Sequence, residues 1–103
     1  MIRVKKNSNT ISISGHANYS EFGKDIVCSS VSSIVATVVN CIMNIDNDSI
    51  VYEDDGNVIT IFKKKDNNVV DIILDTMIEL MKDLEKQYKE NIKVESEEWK
   101  CYF

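Results

Sequence analysis

Apolar and charged residues alternate at the start of the chain, with Ile2 and Val4 on one side and Arg3 and Lys5 on the other. That period of two predicts a half-buried strand over Met1 to Lys6. Asn7-Ser8-Asn9 has turn chemistry, and Thr10 to Ser14 alternates again through Ile11 and Ile13, so the two runs form a hairpin. The period then changes. Val27, Val31, Ile34, Val35, Val38 and Ile42 recur at helical spacing and define one apolar face. The segment is rich in β-branched residues, which are mediocre helix formers, but it is too long for one strand and has no internal turn signal. Ser49 to Glu53 and Val58 to Phe62 are strands joined at Asp55-Gly56, a strong hairpin signal. Asn67 or Asn68 caps a second helix, whose buried stripe is Val70, Ile73, Met77, Leu80, Met81, Leu84 and Tyr88. Lys93 to Glu97 completes the pattern as a short strand, with Ile92 and Val94 on its inner side.

The predicted order is ββαββαβ. Such an order packs as an α+β fold: a small αβ sandwich with two helices on one face of a mostly antiparallel sheet. Residues 1–103 form one domain, without linker, repeat or low-complexity segment. The aromatic tail from Glu98 through Trp99 to Phe103 is expected to pack on the sheet or on a second subunit.

Composition narrows the function. The net charge of -5 argues against a nucleic-acid binder, which normally carries a basic stripe. An acidic enzyme would favour basic peptide substrates at low salt. The only basic cluster, Lys63-Lys64-Lys65, abuts Asp66 and is expected to be a solvated strand end. No N-terminal signal pattern is present. The most apolar region, Val31 to Ile45, is interrupted by Ser32, Ser33, Asn40 and Asn44 and is expected to be too short for a bilayer. A cytoplasmic protein with free thiols follows. The three cysteines have neither CxxC nor His-Cys ligand spacing, so no metal or other cofactor is indicated. Cys41 lies near the apolar helix face and is expected to be core, while Cys101 lies in the tail.

The candidate chemistry sits between Gly15 and Cys28. His16 is the only histidine in the protein, and Cys28 follows it by twelve positions, in the first turn of the first helix. A cysteine attacks as its thiolate. A helix entrance, where backbone N–H groups carry partial positive charge, favours that anion. An imidazole within hydrogen-bond reach completes the minimal activated nucleophile, and the same N–H groups can hold the oxyanion of an acyl-transfer intermediate. Asp25 either caps the helix or orients His16, and the spacing fits both. Ser32 is one turn after Cys28 on the same side. Gly15 and Gly23 bracket a loop that either turns at positive φ or closes as a flap on a bound chain. Tyr19 and Phe22, within it, either grip an apolar substrate or anchor the loop to the core. Taken singly, a helical cysteine is usually a small core hydrophobe, and a lone histidine is usually a surface or capping residue.

Gly15-His16-Ala17, then Gly23-Lys24-Asp25-Ile26-Val27-Cys28, then Ser32 and Asn40, closely resemble the pattern of the ribosomal-processing cysteine protease family, Prp. The element order fits that family over nearly the full length. The resemblance implies an endopeptidase that removes the N-terminal extension of a bacterial large-subunit ribosomal protein of the L27 type. It would cut after an apolar, Phe-Ala-like stretch, with a hydrophobic cleft beside Cys28 and a homodimer as the working form. It makes Cys28 the nucleophile and His16 the base, with Gly15, Asp25 and Ser32 in support. Ser29 and Ser30 depart from it, standing where Ala or Gly is common, and nothing carries over to the tail. The resemblance and composition together call for neither nucleic acid nor membrane as a partner. A non-catalytic ribosome-associated binding module is the alternative. A thiol redox sensor is weaker, because Cys41 is over three turns from Cys28, roughly 20 Å at about 1.5 Å per residue.

Overall fold

The computed structural model describes residues 1–15 and 26–98. Its elements are β1 (Ile2–Lys6), β2 (Thr10–Ser14), α1 (Ile26–Ile45), β3 (Ile50–Asp54), β4 (Val58–Lys63), α2 (Asn68–Gln87) and β5 (Ile92–Ser96). This is the order that the hydrophobic periods predict. The strands form one sheet in the order β3-β4-β2-β1-β5. Three neighbouring pairs are antiparallel, and β5 joins β1 in parallel, Ile92 opposite Ile2 and Val94 opposite Val4.

Alternation assigns the two faces of the sheet. Ile2, Val4, Ile11, Ile13, Ile50 and Ile61 point to the helices and are buried. The inner face of α1 meets them with Val27, Val31, Val35, Val38, Val39 and Ile42, and α2 does so with Val70, Leu74, Met77, Ile78 and Met81. Ile34, Ile73, Leu84, Tyr88 and Val94 pack at its edge. Each fully buried aliphatic side chain contributes about 1.5–3 kcal/mol relative to exposure. That burial overrides the weak helix propensity of the valines in α1.

Four expectations need correction. Cys41 is exposed, because it lies on the flank of α1 preceding Ile42 and turned away from the sheet. Leu80 is 43% exposed at the rim of α2, while Leu74 and Ile78 take buried places in the stripe. Lys63 is not a solvated strand end. It continues the inward series Ile59, Ile61, Lys63, and its ammonium lies 3.1 Å from both Asp66 and Asp71. Finally, α1 spans 20 residues and is long and apolar enough, by length and composition, to cross a membrane. Its six buried side chains nevertheless face the sheet, as in the core helix of a globular domain.

One helix cap and one helix-to-strand bond fix the remaining geometry. The Asn67 side chain accepts from the N–H groups of Val69 and Val70 at 3.0 and 3.2 Å, capping α2. Glu85 on α2 accepts the Val94 N–H at 2.8 Å, tying β5 to the helix.

Candidate active site

The register of β2 against β4 places the site. Ser14, the last residue of β2, lies opposite Val58, the first of β4. The β3–β4 turn therefore stands beside the point where the chain leaves the sheet at Gly15. That turn is held by its own carboxylates. Asp54 Oδ1 accepts from Gly56 N–H at 2.9 Å, and Asp55 Oδ1 accepts from Asn57 and Val58 N–H at 2.8 and 2.7 Å. The Val58 and Asn57 bonds hold the Asp55 carboxyl below the usual carboxylate range. Gly56 has φ +90°, the left-handed conformation that favours glycine in such a turn.

The first turn of α1 closes the other side. Together these elements enclose a cavity of about 270 Å³ lined by Gly15, Cys28 and Ser32. Its floor is apolar, made by Ile2, Ile13, Val31 and Ile59, and its far wall is the turn through Asp54, Gly56 and Asn57. Cys28 is half-buried and packs against the core, while Ser32 is exposed one helical turn on. Cys28 is the third residue of α1, where the helix's own ladder leaves N–H groups to other acceptors. The first turn of α1 contains no acidic residue.

Gly15 has φ +86°, and a Cβ on it would run into the carbonyl oxygen of Met1. Glycine is required there on both counts, by conformation and by space. Three of the site residues expected from sequence, Gly15, Cys28 and Ser32, thus meet at one cavity. His16, Tyr19, Phe22, Gly23 and Asp25 lie outside the described residues, as does the tail from Trp99 to Phe103. Among the described residues no group of His, Cys, Asp and Glu could hold a metal ion.

Sequence reasoning missed the far wall. Asp55-Gly56 stood out only as a turn, and Asp54 and Asn57 not at all. The signal was there in the hairpin lengths. Pairing Thr10–Ser14 antiparallel to Val58–Phe62 puts the Asp55-Gly56 turn next to Gly15.

The family described as cysteine protease Prp matches residues 1–93. The chain belongs to the Prp family of cysteine proteases. It is 35% identical over 83 residues to the ribosomal processing cysteine protease Prp of Staphylococcus aureus, covering 78% of each chain. Among solved structures it is similar to the essential ribosomal processing protease Prp from S. aureus in complex with a covalently linked product peptide. The TM-score is 0.79 at 28% identity, covering 93% of this chain and 97% of that one. The S. aureus Prp in complex with a substrate peptide superposes with a TM-score of 0.77 at 24% identity, over 93% and 97% of the two chains. That second likeness speaks to the fold alone. The α+β architecture expected from the sequence is that of the Prp structures, and the chain is a cysteine peptidase by family.

Proposed function

We propose that this chain removes the N-terminal extension of a large-subunit ribosomal protein of the L27 type, cutting after an apolar, Phe-Ala-like stretch. The observation that carries the reading is the position of Cys28. It stands in the first turn of a helix and opens on a cavity whose opposite lip, Gly15, immediately precedes His16 in the chain. The names of the relatives support the same substrate class.

In this reading Cys28 Sγ attacks the scissile carbonyl carbon, and the first-turn N–H groups of α1 stabilise the oxyanion. His16 takes the thiol proton and gives it to the departing amine. Water then hydrolyses the thioester and restores the thiol. The apolar floor of Ile2, Ile13, Val31 and Ile59 receives the hydrophobic side chains of the extension. Asp25 and Ser32 support the site, and the loop with Tyr19, Phe22 and Gly23 folds over the bound peptide. The chain works as a cytoplasmic homodimer, without cofactor, nucleic acid or membrane.

The test is direct. The purified chain is incubated with the extended ribosomal protein, and the product is weighed by mass spectrometry. A shortened product, absent with Cys28→Ala and with His16→Ala, is the expected result. Full-rate cleavage by Cys28→Ala would end the reading.

A further inference from the structure

Asp54 is the one charged side chain among the described residues lining the cavity that holds Cys28. It is the last residue of β3 and alternates with Ile50 and Tyr52 onto the helix side of the sheet. No described side chain of α1 answers its charge, because Ile26 to Ile45 contains no Asp, Glu, Lys or Arg. Of its neighbours on the hairpin, Glu53 falls on the opposite face by alternation and Asp55 has the same sign. The β1 cations Arg3 and Lys5 point to the open face of the sheet, away from α1.

The carboxylate is also held in place. Gly56 N–H donates to its Oδ1 at 2.9 Å. A carboxylate has about four lone-pair sites, so this bond leaves acceptor capacity for a further donor. Its position next to an apolar floor sets two demands on a bound peptide: one hydrophobic side chain for Ile2, Ile13, Val31 and Ile59, and one group of opposite charge for Asp54.

We infer that Asp54 is a specificity-determining residue, selecting substrates that carry a Lys or Arg side chain within two residues of the cut. The inference rests on the protease reading above and names a feature of its substrate. It needs no catalytic part for Asp54, which recognises the peptide and leaves the chemistry to Cys28.

The experiment uses internally quenched peptides based on the cleavage region of the ribosomal protein extension. The two positions on either side of the cut are replaced singly by Lys, Gln or Glu. With wild-type protein, kcat/KM at one of these positions should be roughly fivefold to tenfold higher for Lys than for Glu, and the ratio should shrink as salt is raised. Asp54→Asn should bring the Lys-to-Glu ratio to about one, and Asp54→Lys should reverse it. A merely structural role would change all three peptides together and leave the ratio alone. Equal rates at every position, or a ratio that survives Asp54→Asn, would overturn the inference. The same peptides are bound to Cys28→Ala and followed by fluorescence anisotropy, which separates this inference from the protease reading. No cleavage by wild type would sink that reading. Preferential binding of the Lys peptide, lost in the Cys28→Ala, Asp54→Asn double variant, would still support Asp54, and equal binding would overturn it.

Discussion

Gly15 lies so close to Met1 that a Cβ on the glycine would clash with the Met1 carbonyl oxygen. The backbone of Gly15 is also at φ +86°. This contact couples the strand end that leads into His16 to the start of β1. Gly15→Ala should therefore lower stability by about 1–3 kcal/mol and lower peptide cleavage by more than the loss of folded protein accounts for. Urea unfolding and cleavage rates, measured on one preparation, check both parts.

Lys63 supplies the second prediction. Its side chain is 1% exposed and lies between Asp66 and Asp71. Burial pulls its pKa down, but the hydrogen bonds with Asp71 and Asp66 outweigh it, and the net shift is upward. Asp71→Asn removes one of two counter-charges from a buried ammonium and should cost about 2–4 kcal/mol. A raised lysine stabilises the fold fully below its unfolded value of about 10.4 and loses that contribution as pH rises through the folded value. The gap in urea midpoint between wild type and Asp71→Asn should therefore narrow above about pH 10.4 and stay constant from neutral to that point.

The stripe on α2 can be tested by two leucines. Leu74 is fully buried, whereas Leu80 stands at the rim of the groove that also includes Ile34 and Leu84. Leu74→Ala should cost about 2–5 kcal/mol. Leu80→Ala should cost less than about 1 kcal/mol. Thermal unfolding of the two variants decides it, and equal losses would show that the stripe includes Leu80 after all.

Much of this architecture is legible in the chain because two periods carry it. Ile2-Val4 and Ile11-Ile13 mark strands, and the three- and four-residue steps of Val27 to Ile42 mark a helix, so burial and pattern agree. The misses come from the margins of those patterns. A helix face is an arc rather than a line, so Cys41 and Leu80, at its borders, cannot be assigned from spacing alone. Lys63 shows that a strand's inward phase can run into a charged residue when a later helix brings carboxylates to meet it. Of the site, Gly15, Cys28 and Ser32 were recognisable because they fall on a local stretch with its own spacing. Asp54 and Asn57 were not, because only the pairing of distant strands carries them to the cysteine.

The central claim is that Cys28, activated by His16, is the nucleophile, and exposed Cys41 offers an internal reference. The most direct measurement is labelling of the native protein with a chloromethyl ketone built on the apolar end of the extension, with the modified residue located by mass spectrometry over time. The account predicts rapid modification of Cys28, slow modification of Cys41, and loss of the difference in His16→Ala. Labelling of Cys41 as fast as Cys28, or a Cys28 rate indifferent to His16, would contradict it.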